Sequence, residues 1–281
     1  MQKLPLDFLT LHTTYVISDA EAVMPLTEEF IGLVKSETGV MYAGWDFERS
    51  KESYTSIGGY ASVSGDRLFC RQAYADADSL LRHLNTVKPC VDKLLAGPAS
   101  MGSVVLHGPS AELAKCAAAN AQCFEARPDG HSRIKKVSGG MPLPIQNCPL
   151  VHSTFTVADW AAAEPLVAAY TAATAKEGGC IYSGFSRQGS SLFLREAFSS
   201  VTDIVKHVEN AGDAMDALLA GATLEACDVH TGRENVKTLR TFLAETGRVA
   251  IYGKEVEPVC LWKGQGVQTY EVQQSLFGFS F

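Results

Sequence analysis

Several features that would assign this sequence to a functional class are missing from it. The net charge is −7 and no basic stripe is present, which argues against a nucleic-acid partner. The chain contains no apolar run of about 18 residues, so no membrane span is predicted. Its first residues lack the long apolar segment of a secretory signal. We expect a soluble intracellular protein, located in the cytoplasm or, where a transit peptide has been removed, in an organelle lumen.

Paired metal-ligand spacings are missing as well. The 8 cysteines are spread singly, and no Cys-x-x-Cys pair indicates a zinc knuckle or a thioredoxin-type motif. Neither His-x-x-x-His nor a paired-carboxylate helix spacing occurs, so we predict no metal site. The cysteines are expected to be reduced and mostly buried thiols.

The sequence does contain a long internal repeat. His12 recurs as His152 at an offset of 140 (152 − 12), and His83 recurs as His207 at an offset of 124 (207 − 83). The first copy therefore has 16 more residues (140 − 124), which we place in a Ser- and Gly-rich insert near 47–62. A period of this length predicts two duplicated domains. The predicted parts are a first domain over 1–125, a Pro- and Gly-rich linker over 126–150, and a second domain over 151–281 with a C-terminal extension.

Each copy has the same predicted order of elements, β-α-β-β-α-β, which is that of a ferredoxin-like unit. Asp19 and Asp159 are predicted N-caps of the first helix of each copy, and Gly39 and Gly179 mark its expected end. The second helix is predicted over 78–95 in the first copy and over 201–219 in the second. One face of such a sheet needs a partner, which a tandem copy can supply. We predict an α+β fold of two tandem ferredoxin-like domains that form an intramolecular pseudo-dimeric α/β-barrel.

A run in the second copy resembles the antibiotic biosynthesis monooxygenase family of dimeric α/β-barrels. The run comprises Glu177, Gly179, Cys180, Tyr182, a strand that ends at Phe198, and His207 on the following helix. The first copy repeats most of it. The resemblance implies a family of cofactor-independent monooxygenases, quinol oxygenases and haem-degrading enzymes. The haem degraders use a histidine late in the second helix and an asparagine on the first strand, and neither has a counterpart here, so haem degradation is disfavoured and no cofactor is expected.

Ten residues are candidates for the site. The candidate catalytic residues are His207, His83, Tyr182 and Arg195, and the candidate substrate-binding residues are His152, Thr154, Phe198, Tyr42, Arg71 and His12. His207 is placed at the edge of an apolar helix stripe, where an imidazole could accept a proton from a phenolic substrate. Each assignment has a structural alternative: the histidines could satisfy core backbone groups, the arginines could form salt bridges, and the tyrosines could pack on neighbouring glycines. His107 and His230, at the end of the last strand, are interpreted as turn caps.

Two functions remain open at this point. The first is a cofactor-independent monooxygenase that acts on a small hydrophobic or aromatic, quinol-like molecule. The alternative is a non-catalytic small-molecule-binding or assembly protein, with the insert and the apolar C-terminal tail as surfaces for a protein partner or for a homo-oligomer. Fold alone does not choose between them, because function depends on the site that a fold carries.

Overall fold

The computed structural model describes residues 4–34, 36–47, 66–116, 121–134, 148–231, 238–239, 241 and 267–275. Its strands are β1 (Leu4–Pro5), β2 (Leu9–Ile17), β3 (Val40–Phe47), β4 (Asp66–Tyr74), β5 (Ala99–Gly108), β6 (Gln122–Ala126), β7 (His131–Ser132), β8 (Leu150–Val157), β9 (Cys180–Gln188), β10 (Ser191–Phe198), β11 (Ala222–Thr231) and β12 (Val267–Ser275). Its helices are α1 (Ala20–Val34), α2 (Ala77–Leu95), α3 (Ser110–Lys115), α4 (Trp160–Thr174) and α5 (Val201–Leu219). The mixed α+β character predicted from the sequence is confirmed.

The chain divides into two compact units. One, here called the first-copy unit, contains the described residues from Asp7 to Cys123 together with those from Glu271 onward. The other, the second-copy unit, contains the described residues up to Leu6, from Phe124 to Ile134 and from 148 to Tyr270. Most of the predicted insert and of the C-terminal extension lies outside the described residues.

In the second-copy unit, four antiparallel strands lie in the order β9-β10-β8-β11. Helices α4 and α5 pack on one face of this sheet. The strands turn alternate apolar side chains toward the helices, among them Phe155, Leu194 and Phe198, all fully buried. Each such side chain contributes about 1.5–3 kcal/mol through its burial. Strand β7 extends the sheet beside β9, and β1 pairs with β7.

The first-copy unit has the corresponding order, β3-β4-β2-β5, with α1 and α2 on one face. Its core is also apolar and includes Leu68, Tyr74 and Leu80. The backbone of residues 271–275 in β12 pairs with β3. In both units the helix-bearing face therefore forms the core.

Local hydrogen bonds set the starts of the helices. The Asp159 carboxylate accepts from the backbone N–H groups of Ala161 and Ala162 at 2.9 and 3.2 Å, and Asp19 accepts from that of Ala22 at 3.0 Å. These two predicted N-caps are confirmed.

The first helix of each copy ends earlier than predicted. Helices α1 and α4 end at Val34 and Thr174, five residues before Gly39 and Gly179 (39 − 34 and 179 − 174). The glycines instead lie directly before a strand, where Gly39 has a positive φ of 83° that favours glycine. The turn between helix and glycine carries Glu37 in one unit and Glu177 in the other, and this placement matters for the site.

None of the helices in the described part of the chain has the length and apolar character needed to cross a membrane. The seven described cysteines are free thiols, and five of them are buried.

Candidate active site

The two faces of the second-copy sheet divide the predicted site residues. His207 on α5 and Phe198 on β10 lie on the helix-bearing face, with ring centroids 4.8 Å apart. His152 and Arg195 are cross-strand neighbours on the opposite face, and strand alternation puts Tyr182 and Thr154 there too. The residues therefore do not form one constellation. They contribute to two.

The constellation on the helix-bearing face is here called the His207 cluster. It consists of Tyr170 on α4, Glu177 in the turn after α4, Ser183 on β9, Glu196 on β10 and His207 on α5. All but Glu177 are almost completely buried. Buried polar and charged groups are stable only when they are paired, so their mutual geometry is informative.

His207 lies between two carboxylates. Its Nδ1 is 2.9 Å from Glu177 Oε2, and its Nε2 is 3.4 Å from Glu196 Oε2. The same Nε2 is 2.8 Å from the Tyr170 hydroxyl oxygen. That hydroxyl donates toward Glu196, whose two oxygens are both 3.1 Å away, and Ser183 Oγ donates to Glu196 Oε1 at 2.9 Å.

The charges around His207 determine its protonation. Burial lowers the pKa of His207, but the negative charge of Glu196, the hydrogen bonds to Glu177 and Glu196 and the charge of Glu177 outweigh burial and raise this pKa to about 9. At neutral pH the ring is therefore an imidazolium that donates from both nitrogens, to Glu177 and to Tyr170. Burial, and after it the charge of Glu196, raises the pKa of Tyr170 well above its usual value, so Tyr170 remains a neutral donor.

This protonation state changes the role predicted for His207. An imidazolium is not a proton acceptor at neutral pH, whereas the carboxylate that it holds can be one. Glu177 is suited to that task. Its side chain is 9% exposed, one oxygen is bonded to His207, and the other, Oε1, is buried with no hydrogen-bond partner among the described residues. A buried acceptor of this kind can receive the hydroxyl of a ligand.

Further hydroxyl groups extend the cluster toward the sheet edge. Thr174 Oγ1 lies 3.4 Å from Ser183 Oγ, and His131 Nε2 lies 3.0 Å from the same threonine oxygen. His131 belongs to β7, which pairs with β9. A hydrogen-bonded series of side chains thus runs from Glu177 through the buried layer to His131.

The first-copy unit keeps only part of this arrangement. His83 Nδ1 is 2.9 Å from Glu37 Oε2, and Glu37 Oε1 is likewise buried without a hydrogen-bond partner among the described residues. The rest has changed: Gln72 replaces Glu196, with its Nε2 3.0 Å from His83 Nε2, and Phe30 replaces Tyr170. The amide donates to Nε2 and the ring donates through Nδ1 to Glu37, so a neutral imidazole satisfies both hydrogen bonds.

Two further polar residues of this layer in the second copy are apolar in the first. Ala43 occupies the position of Ser183, and Val34 occupies that of Thr174, each at the offset of 140. The same helix-bearing layer is therefore polar in one unit and mostly apolar in the other.

The constellation on the opposite face consists of histidines, an arginine and aromatic rings. In the second-copy unit the rings of His152 and His230 lie 5.2 Å apart, and His152 lies 5.8 Å from Phe193. Arg195, the cross-strand neighbour of His152, is fully buried.

The first-copy unit has similar residues on the corresponding face. The rings of His12 and His107 lie 5.1 Å apart, and Arg71 is the cross-strand neighbour of His12. Tyr42 is buried on the adjacent strand β3, where it pairs with Ala73 of β4.

The interpretation of His107 and His230 as turn caps stays a prediction. Both are buried strand residues, paired with Thr10 and Leu150 in the neighbouring strands. The ladder of β5 with β2 and that of β11 with β8 each reach as far as this histidine.

Sequence reasoning missed four members of the His207 cluster, among them Ser183. Glu177 was noted only as part of the repeat and of the family run, while Tyr170 and Glu196 were not singled out. No group of three or more His, Cys, Asp or Glu side chains in the described ranges is arranged to hold a metal ion.

No protein-family model matches the chain, and no curated protein sequence matches it. Solved structures are similar to it. A candidate monooxygenase from Fusobacterium nucleatum has a TM-score of 0.50 and 10% identity, covering 80% of this chain and 91% of that one. A candidate monooxygenase from Lactobacillus acidophilus has a TM-score of 0.44 and 10% identity, covering 78% and 91%. MupZ from Pseudomonas fluorescens has a TM-score of 0.37 and 23% identity, covering 48% and 96%.

At these identities the similarity concerns the fold alone. The fold of this chain is similar to that of the Fusobacterium structure.

Proposed function

We propose that the chain is a cofactor-independent monooxygenase that acts on a small phenolic or quinol-like aromatic molecule through Glu177 and His207. One observation carries the proposal. The Glu177 carboxylate is held by the His207 ring at one oxygen, while its other oxygen is buried and lacks a hydrogen-bond partner among the described residues. The likeness in fold to a candidate monooxygenase supports it.

The chemistry begins with removal of a proton. A substrate hydroxyl donates to Glu177 Oε1, and transfer of this proton leaves an electron-rich phenolate or hydroquinone anion. The fixed charge of His207 holds the carboxylate in place, and the surrounding burial limits access of water. The ionised substrate then supplies electrons to dioxygen without a metal or a flavin.

The overall reaction balances without an external reductant. A hydroquinone and one molecule of dioxygen give a hydroxyquinone and one molecule of water. One oxygen atom forms a new bond to a ring carbon, and the other leaves as water with the two hydrogens released by the substrate. The substrate itself provides all the electrons.

The first test is oxygen consumption by the purified full chain with benzene-, naphthalene- and anthracene-type hydroquinones, under heavy-isotope dioxygen and with a chelator present. We expect one labelled oxygen atom in the product of at least one of them. Glu177→Gln should lower formation of the labelled product on the order of 100-fold, as is typical for the loss of a general base.

The corresponding change in the first copy, Glu37→Gln, is the matched control and should leave most of the labelled product. Wild-type protein that consumes no oxygen above the spontaneous rate with every member of the series would overturn the proposal. Unchanged product formation by Glu177→Gln would remove Glu177 from it.

The alternative of a non-catalytic assembly protein remains a prediction. The insert lies almost entirely outside the described residues, and only the backbone of 267–275 is described in the C-terminal tail. The candidate roles of His152, Arg195 and Tyr182, on the opposite face of the sheet, also remain predictions.

A further inference from the structure

A monooxygenase of the proposed kind needs an acid as well as a base, and this inference rests on the proposed function. Addition of dioxygen to the ionised substrate gives a hydroperoxide. Its O–O bond breaks to release water only when the departing oxygen receives a proton. Without that proton, the intermediate can instead lose the whole peroxide, which leaves a plain quinone and hydrogen peroxide. The electrons balance in both outcomes. Formation of the hydroxyquinone and water removes four electrons from the substrate, and formation of the quinone and hydrogen peroxide removes two.

The second-copy unit contains a proton source behind its base. His207 donates from Nδ1 to Glu177 and from Nε2 to the Tyr170 oxygen, and Tyr170 in turn donates to Glu196. The distances of 2.8 to 3.1 Å along this path are those of ordinary hydrogen bonds. The protonated His207 ring can therefore pass its Nδ1 proton to Glu177 and remain a neutral ring, whose Nε2–H stays bonded to the Tyr170 oxygen.

The first-copy unit has the base without this source. Phe30 has no hydroxyl, and Gln72 donates to His83 where Glu196 would accept. The ring of His83 has one N–H in this arrangement, and that N–H is used by Glu37. If the His83 ring transferred this proton to Glu37, it would have no N–H left.

We infer that Tyr170 and Glu196 are positioning residues that keep His207 protonated, so that its ring supplies the proton with which the second-copy unit completes monooxygenation. The first-copy unit is correspondingly limited to binding the substrate or oxidising it by two electrons with release of hydrogen peroxide. The two copies differ in product, although they share the Glu–His pair that ionises the substrate.

The groups that face His207 come from each element packed around it. Glu177 follows α4, Tyr170 belongs to α4, and Glu196 belongs to β10. Phe198, also on β10, covers one side of the ring without a charge. The protonation of His207 therefore depends on the two carboxylates and on the Tyr170 hydroxyl.

The test measures the ratio of labelled hydroxyquinone to hydrogen peroxide in a Glu37→Gln background, where the second copy works alone. Glu196→Gln and Tyr170→Phe introduce the residue types of Gln72 and Phe30 at nearly constant side-chain volume. Either variant can be used for the test if the other does not fold. We expect oxygen uptake to continue and the ratio to fall on the order of 100-fold. In a Glu177→Gln background, the remaining uptake should yield hydrogen peroxide alone.

The possible results separate the two proposals. An unchanged product ratio in both variants, with oxygen uptake retained, would overturn the inference and leave the proposed function standing. Absence of oxygen uptake by the wild-type chain would overturn the proposed function itself. Labelled hydroxyquinone from the first copy working alone would also overturn the inference, because that copy lacks the proton source.

Discussion

Replacing Glu196 by Gln should change how the stability of the protein depends on pH. The charge of Glu196 is the main factor that raises the pKa of His207, from 6.5 to about 9. A raised pKa means that the protonated ring stabilises the folded state. This contribution is present in full below about pH 6.5 and is lost as the pH rises through about 9. A shift of this size corresponds to about 3 kcal/mol.

The measurement is the free energy of unfolding in urea at about pH 6 and about pH 10 for wild type and Glu196→Gln. Other groups titrate in this range in both proteins, so the difference between them isolates the cluster. We expect wild type to lose on the order of 2 kcal/mol more than the variant, because Glu177 still supports the protonated ring in the variant. The His207 ring, followed by NMR, should titrate near 9 in wild type and lower in the variant.

The first copy provides the reverse experiment. Introducing Phe30→Tyr and Gln72→Glu together puts a carboxylate and a hydroxyl beside His83, so stability should fall more steeply with rising pH than in wild type. Parallel stability curves for wild type and Glu196→Gln, with the His207 ring titrating near 6.5, would refute the reasoning, since the carboxylates would then not determine its protonation.

Three further outcomes follow from local geometry. Gly39→Ala should lower the free energy of unfolding in urea by about 1–2 kcal/mol, because φ is 83° and a Cβ would meet the Ser79 side chain. The control Gly178→Ala places its Cβ in open space and should change this free energy by less than about 0.5 kcal/mol. Burial raises the pKa of Cys148 from 9.0 to about 11. Its alkylation near pH 8, measured by mass spectrometry, should therefore be about 100-fold slower in the folded chain than in the urea-unfolded chain, and equal rates would contradict this. Asp159→Ala should lower the free energy of unfolding by about 1 kcal/mol through loss of the helix cap, and Asp159→Asn should retain most of it; equal losses would show that the cap hydrogen bonds contribute little.

The order of the elements could be predicted from the sequence because the repeat supplies two readings of each element. Helix α5 has the predicted bounds of 201–219. When the pattern of one copy leaves an element uncertain, the matching residues of the other copy identify it, as for the N-caps Asp19 and Asp159 of α1 and α4. The ends of those helices could not be predicted from glycine alone, because Gly39 and Gly179 serve the following strand and the last helical hydrogen bonds form before them.

The site was harder to predict because only residues that recur in both copies stand out in the sequence. Retained histidines identified His207, but its partners Tyr170 and Glu196 differ between the copies. Strand alternation already placed Arg195 away from Phe198, and the same rule places Glu196 beside Phe198 on the helix-bearing face. A carboxylate turned into an apolar layer would have indicated the cluster. Its pairing with His207 depends on the packing of α5 against the sheet, which a single sequence does not specify.

The comparison between the units also bears on why the cluster exists. Burying a carboxylate costs several kcal/mol unless a partner neutralises it, and even a well-paired buried ion is a weak source of stability. The first-copy unit builds the same layer with Phe30, Gln72 and Ala43 around an equivalent Glu–His pair. Stability of the fold therefore does not require the extra carboxylate and hydroxyls of the second copy. Their presence is better explained by chemistry that needs a mobile proton, and the unit that carries them is the one in which we expect turnover to finish.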